Sequence, residues 1–309
     1  MSGLKFRFLA VALSAMSGLL LGVACSERPA SPQTTAPVSA TPVLPQNPTL
    51  TVIPVGRDFG LGKDRLQLAI LSADGDSVND RAADLEITYG LIDGSERRTL
   101  TPVTWRKWPV LSGVYVATAD FDSSGFWQFD VVLDDGSKTL AGSATLEVRD
   151  VSRAPSVGTL APRVVSKTAG TLDAARQITS AATPDLDLYA TSLDKAIESQ
   201  KPIVVVFSTP AFCTTQTCGP QLEVIGNLQD KYGAEAQFIH VEVWDNPREM
   251  LDTGDASVGR LSPAVEAWGL PSEPWTFLID TDGRIHARFE AFATEAELGE
   301  AIASWLAAS

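Results

Sequence analysis

The sequence predicts two folded parts, an all-β domain over 49–150 and an α/β domain over 184–309. Two observations carry this division. Apolar residues alternate with polar ones through the first part, interrupted by turn dipeptides at regular spacing. From residue 184 the period changes, and helical stripes alternate with short apolar runs. A third observation concerns chemistry. The chain has three cysteines: Cys25 closes an apolar N-terminal stretch, and Cys213 and Cys218 follow the run Ile203-Val204-Val205-Val206-Phe207.

Residues 1–25 read as an export signal. Lys5 and Arg7 supply the positive start, Phe8 to Val23 is apolar with small residues, and Ala24-Cys25 follows at once. The apolar run is shorter than the ~20 residues of a membrane-spanning helix and matches a signal h-region. A small residue directly before a cysteine resembles the lipobox of bacterial lipoproteins. Ala24 and Val23 suit that pattern; Gly22 stands where it prefers leucine. The resemblance implies lipidation at Cys25 and a bacterial cell-membrane location on the extracytoplasmic side. With Cys25 acylated, two thiols remain, the number one disulfide needs, in a compartment where it persists.

Residues 26–48 are rich in Pro, Ser, Thr and Ala and read as a tether. Over 49–150, Leu66, Leu68 and Ile70 alternate with polar residues, as do Leu85, Ile87 and Tyr89, then Val114 and Val116, then Trp127, Phe129 and Val131. Asp74-Gly75, Asp93-Gly94, Ser124-Gly125 and Asp135-Gly136 mark the turns. Strands at this spacing predict a small β-sandwich, immunoglobulin-like in outline. Trp105, Trp108 and Trp127 are expected in or at the edge of its core rather than on a binding platform. Residues 151–183 return to Ser, Thr, Ala and Pro and read as a second linker able to pack against one domain.

In the last part, Thr191-Ser192-Leu193-Asp194 resembles a capping box, with Ala196 and Ile197 on one helical face. The β-branched run 203–207 reads as a central buried strand. Leu222, Ile225 and Leu228 stripe the next helix, Phe238 to Val243 makes a strand, and Ser262-Pro263 opens a short helix ending at Gly269. Trp275–Ile279 and Ile285–Phe289 flank Asp282-Gly283 as a hairpin, and Leu298, Ala301, Ile302, Trp305 and Leu306 mark a last helix. A parallel part is thus completed by an antiparallel hairpin.

Composition narrows the partners. A net charge of −14 argues against nucleic acid, whose phosphates demand clustered Lys and Arg. The acid excess is spread along the chain and reads as solubility. Two His and three Met, one of them the initiator and one in the signal, leave few ligands for zinc or copper. No metal and no cofactor is therefore assigned. His240, flanked by Ile239 and Val241, is expected to be a hydrogen-bonded structural residue, and His286 a solvated one.

Residues 185–309 resemble the thioredoxin-like superfamily, especially its membrane-anchored extracytoplasmic members. The resemblance lies in Val206-Phe207-Ser208-Thr209-Pro210-Ala211-Phe212-Cys213 and Glu273-Pro274-Trp275-Thr276-Phe277. It implies a cis peptide before Pro274 and a substrate-docking backbone edge facing the dithiol. Pro220 resembles the proline that kinks the first active-site helix. Two departures stand out. Four residues separate the cysteines instead of two, and Val and Phe stand where these proteins carry a buried acid before the first cysteine.

Residues five apart in a regular helix lie about 8.7 Å apart at Cα, beyond the ~7 Å that a disulfide tolerates. Either 213–218 is a loop ending at Gly219-Pro220, or oxidation unwinds the first helical turn. A purely structural staple would stabilise little, about 2 kcal/mol for a loop of about six residues.

Three functions are expected as alternatives. The first is thiol-disulfide exchange on protein thiols or disulfides, with Cys213 attacking, Cys218 resolving and Pro274 shaping the docking edge. The second is a peroxidase, because C-x4-C also resembles the atypical peroxiredoxins, although Pro210 replaces their threonine and Pro274-Trp275 their arginine. The third is a non-enzymatic binding or assembly lipoprotein whose disulfide is structural. No partner of the sandwich is legible.

Overall fold

The computed structural model describes residues 48–308. The export signal, Cys25 and the tether up to its last residue lie outside the described residues. Within these, the first nine strands are β1 (Leu50–Pro54), β2 (Phe59–Gly60), β3 (Gly62–Ser72), β4 (Leu85–Leu91), β5 (Arg98–Thr99), β6 (Thr104–Arg106), β7 (Val114–Phe121), β8 (Gly125–Asp134) and β9 (Thr139–Arg149). They form two sheets, ordered β1-β3-β7-β6 and β2-β9-β8-β4-β5. All pairings are antiparallel except β2 with β9.

One core lies between the sheets. Leu66, Leu68 and Ile70 enter it from β3, Tyr115 and Phe121 from β7, Ile87 and Tyr89 from β4, and Trp127, Phe129 and Val131 from β8. Tyr89 stacks on Phe129 with centroids 5.4 Å apart, and Phe121 meets Trp127 edge-on at 5.2 Å. Each buried ring contributes on the order of 1.5–3 kcal/mol by leaving water. On β7 the alternation faces otherwise than expected. Val114 belongs to the opposite face, with Val116 beside it, while Tyr115, Ala117 and Ala119 point into the core. Both faces of this strand are covered, so apolar spacing did not reveal which one is inside.

A third sheet is built from β10 (Ile203–Ser208), β11 (Gln237–Glu242), β12 (Trp275–Ile279) and β13 (Ile285–Glu290), in the order β11-β10-β12-β13. β10 and β11 are parallel; β12 runs antiparallel to β10, and β13 to β12. This is the parallel pair completed by a hairpin that the sequence predicts. Every residue of β10 is buried, because helices cover both faces. Ile203, Val205 and Phe207 pack with α2 (Leu193–Glu198) and α5 (Pro263–Trp268). Val204 and Val206 pack with α3 (Cys218–Tyr232) and α6 (Glu295–Ala308). α4 (Pro247–Thr253) follows β11.

The stretch 151–183 is packed along the third sheet rather than spanning open space. It contains α1 (Leu172–Ile178), whose Ala175 is fully buried, and it pairs with the hairpin through Gly158 N–H to Ile285 O (2.7 Å) and Ala161 N–H to Gly283 O (2.9 Å). It also alters the start of α2. The expected capping box does not form. Ser192 makes no side-chain cap, and the Leu193 amide donates instead to Ser166 Oγ at 2.9 Å.

The two-sheet domain docks on the third sheet through the outer face of β3 and β7. Ala69, Trp108, Val114 and Phe292 form an apolar cluster there, with Trp108 edge-on to Phe292 at 5.7 Å. Trp127 lies in the core and Trp105 packs against it, so these tryptophans are structural. Ion pairs surround the cluster. Arg65 clasps Glu297 with two nitrogens, at 2.6 and 2.9 Å. Arg288, on β13, reaches Asp58 and Asp64 and also bonds Ser152 Oγ at 2.9 Å. Such buried, bidentate pairs orient as well as attract.

Candidate functional site

The chain leaves the C-terminal end of β10 at Ser208 and turns through Thr209-Pro210-Ala211-Phe212, where the Phe212 amide donates to Thr209 O at 3.2 Å. A second turn, Gln216 N–H to Cys213 O at 3.3 Å, places Gln216 in the left-handed region with φ of 59°. α3 begins only at Cys218. The segment between the cysteines is therefore the loop of the two alternatives. Cys213 and Cys218 are joined in a disulfide with Cα atoms 5.9 Å apart. Pro220 falls in the first turn of α3, where an amide N–H has no intrahelical partner and a proline removes nothing.

The two sulfurs differ in environment. Cys218 is fully buried, whereas Cys213 is half-exposed at the loop surface. Cys213 Sγ accepts the Cys218 amide N–H at 3.3 Å and lies 3.2 Å from Thr215 Oγ1, which is 2.7 Å from Thr217 Oγ1. It thus sits at the positive end of a helix with a hydroxyl pair beside it.

The Glu273-Pro274 bond is cis, and Pro274 directly precedes β12. In the sheet Trp275 pairs with Phe207, at the same end of β10 as the cysteine loop. Thr214 Oγ1 donates to Glu273 Oε1 at 3.4 Å, so the loop carrying Cys213 touches the segment carrying Pro274. The three predicted residues Cys213, Cys218 and Pro274 thus gather at one end of the sheet.

His240 is buried, with Tyr189 OH 2.7 Å from Nδ1 and Ser208 Oγ 2.9 Å from Nε2. Burial holds its imidazole down to about 4, opposed by the Ser208 backbone, so it is neutral above that pH. His286 is exposed and stacks on Trp305 at 5.3 Å.

Sequence reasoning missed a buried acid. Glu242 ends β11 opposite Ser208. Its Oε2 accepts the Ser180 amide (2.7 Å) and hydroxyl (2.8 Å), and its Oε1 accepts the Val243 amide (3.1 Å). Ser180 Oγ in turn accepts the Ala211 amide at 3.2 Å, in the turn before Cys213. No ion pair to Glu242 occurs among the described residues, and burial pushes its carboxyl up against the pull of the Thr209 and Ser180 hydrogen bonds. A cavity of about 270 Å³ opens beside Glu242 and His240, with Tyr189, Trp244 and Lys167 in its wall. The signal in the sequence was a charged residue between Val241 and Val243 at a strand end.

Among the described residues no cluster of three or more His, Cys, Asp or Glu side chains could hold a metal ion, and no helix is long and apolar enough to cross a membrane. No family model matches the chain, and no curated protein does. Solved structures include thioredoxin-like neighbours. A protein assigned as thiol:disulfide interchange protein DsbE from Chlorobium tepidum is 14% identical, over 50% of this chain and 99% of its own, with a TM-score of 0.35. A thioredoxin-family thiol:disulfide interchange protein from Chlorobium tepidum TLS gives 14%, 50%, 99% and 0.34. Chloroplastic thioredoxin z is 18% identical over 38% of this chain and 88% of its own, with a TM-score of 0.27. These likenesses are distant, and the chemistry rests on the geometry of the cysteine loop.

Proposed function

We propose that this protein is a thioredoxin-like thiol-disulfide oxidoreductase, lipid-anchored at Cys25 on the extracytoplasmic side of a bacterial cell membrane, with an immunoglobulin-like sandwich as its first domain. The observation that carries the reading is the asymmetry of the disulfide. One sulfur is accessible at a helix N-terminus beside the Pro274 segment, and the other is buried beneath it. That arrangement suits an attacking thiol and a resolving one, because the thiolate is the nucleophile and a helix N-terminus favours it.

In the reducing direction the Cys213 thiolate attacks a substrate disulfide. A Cys213–substrate bond forms, the substrate S–S bond breaks, and the first substrate sulfur leaves and takes a proton. Cys218, losing its proton, then attacks Cys213 Sγ. The mixed disulfide breaks, the second substrate thiol departs, and the Cys213–Cys218 bond closes. Two electrons pass from the dithiol to the substrate; the oxidising direction is the reverse. Pro274 shapes the backbone edge on which an extended substrate lies.

Trapping tests this. Cys218→Ser should accumulate a mixed disulfide through Cys213, and Cys213→Ser should not. After reduction of the wild type, a short pulse of alkylating agent should label Cys213 at least tenfold faster than Cys218. A disulfide that stays closed in excess dithiothreitol on the native protein would sink the reading in favour of a structural staple. Hydrogen peroxide consumption with a supplied reductant would move the pair to a peroxidase.

A further inference from the structure

The loop Val55–Asp58 belongs to the two-sheet domain, yet it is tied to β13 and, through it, to the segment that carries Pro274. The Arg57 and Asp58 amides donate to Glu290 Oε2 at 2.8 and 3.1 Å. The other oxygen of that carboxylate accepts Ser272 Oγ at 2.6 Å, and Ser272 Oγ accepts the Trp275 indole N–H at 3.1 Å. One mostly buried carboxylate on β13 therefore clamps a loop of the first domain to the segment that carries Pro274 in the second. Gly56 permits this close approach. A Cβ there would lie 2.9 Å from Gln67 Oε1 and 3.2 Å from Glu290 Oε2.

Arg57 stands at the exposed tip of this clamp. Its guanidinium makes no hydrogen bond or ion pair among the described residues, although Arg57 is one residue from the fully engaged Asp58. Burial pushes the carboxyl of Glu273, the residue after Ser272, up, against the pull of Thr214, the residue after Cys213, and of the Arg57 charge. Arg57, Glu273, Thr214 and Cys213 thus follow one another along a single surface that crosses the two domains. The Glu273 carboxyl bonds Thr214 and no group among the described residues bonds the guanidinium, so the guanidinium keeps its donors for an incoming group.

We infer that the docking edge beside Cys213 is composite, and that Arg57 of the two-sheet domain selects protein substrates with an acidic residue flanking the reacting cysteine. This selection rests on the proposed thiol-disulfide exchange at Cys213. The chemistry is that of a planar guanidinium, which a carboxylate matches with two hydrogen bonds and an ammonium repels. The molecule as a whole carries −14 and does not attract acidic chains. Charges farther than about 8 Å are largely screened at physiological salt, so the distant acids weigh little against a cation at the edge itself, where burial also disfavours the charged form of Glu273. The clamp gives the first domain a role, because it ties the loop bearing that cation to the Pro274 segment.

The experiment compares two disulfide-linked peptides that differ only in Asp or Lys two residues from the cysteine. The wild type should exchange with the Asp peptide about fivefold faster than with the Lys peptide at low salt. Arg57→Glu should reverse the order, and Arg57→Lys should retain part of the wild-type preference. The ratio of the two rates within each variant cancels any general loss from misfolding. An unchanged ratio in Arg57→Glu, with the wild type exchanging both peptides, overturns the role of Arg57 and leaves the exchange reading standing. A wild type that exchanges neither peptide overturns both.

Discussion

Replacing Arg288 with alanine should cost more than any change at the surface of the disulfide loop. The Arg288 side chain is 5% exposed, and the Asp58 and Asp64 side chains it meets are 0% and 11% exposed. Its guanidinium makes six hydrogen bonds, to both oxygens of Asp64, to the side chain and carbonyl of Asp58, to Ser152 Oγ and to Ala154 O. Without it, Asp58 keeps two backbone amides at 2.8 and 2.9 Å and the Arg149 guanidinium at 3.6 Å, but Asp64 keeps only two long amides, at 3.2 and 3.4 Å. Leaving a buried charge without its partner costs about 3–5 kcal/mol. At about 2–4 °C per kcal/mol for a chain of this size, the melting point should fall by about 6–20 °C. Burial already pushes the Asp64 carboxyl up, and Arg288 is the main opposing influence. In Arg288→Ala the Asp64 carboxyl should therefore protonate more readily, and the deficit should shrink as pH falls toward the carboxylate range. Adding Asp64→Asn should recover part of the loss at neutral pH for the same reason. Urea unfolding followed by tryptophan fluorescence measures all three proteins, since Trp127 and Trp268 lie in separate cores. A loss under about 1 kcal/mol, the worth of an exposed pair, or a deficit independent of pH, would refute the buried-pair account of domain docking.

Two further predictions concern the groups that line the cavity. His240 has its folded pKa depressed to about 4 against 6.5 in the unfolded chain, so the unfolded state binds the extra proton first. The His240 contribution to stability should be flat above about pH 6.5 and fall by about 3 kcal/mol as pH drops through the window from 6.5 to 4. Histidine-selective NMR should show no titration of His240 near neutrality, and a midpoint above 6 would contradict its burial. Glu242 has the opposite sign. Its folded carboxyl is pushed up by burial, so the native state holds a proton that the unfolded chain releases near pH 4.5. That contribution is present below the unfolded value and lost as pH rises through the folded one. Glu242→Gln should therefore gain stability relative to the wild type with rising pH, whatever its constant offset, and parallel pH profiles would disprove the shift.

The elements that were legible in the sequence are those whose pattern is set by neighbours along the chain. The β-branched run 203–207 reads as a strand buried on both faces, and Asp282-Gly283 between two apolar runs as a tight hairpin. The cysteine spacing already required 213–218 to be irregular when oxidised, and the loop before α3 meets that requirement. What was hidden depends on partners far away in sequence. Ser166 replaced the local cap of α2 because the stretch 151–183, read as a linker, lies packed against the domain. Val114 and Val116 misled because a second domain covers the outer face of their strand.

The same cause concealed most of the site. Glu242 is a charged residue at a strand end until Ser180, 62 positions earlier, donates to it and accepts from Ala211 in the cysteine turn. Arg57 is a surface cation until Glu290, 233 positions later, draws its backbone to the Pro274 segment. Each is tied to a segment next to the disulfide loop through a hydrogen-bonded intermediary that no local motif encodes. The two cysteines and the proline were visible because a short spacing and a local junction mark them in the sequence. The charged residues around them are brought there by the tertiary fold, and the docking of the two-sheet domain is part of that assembly.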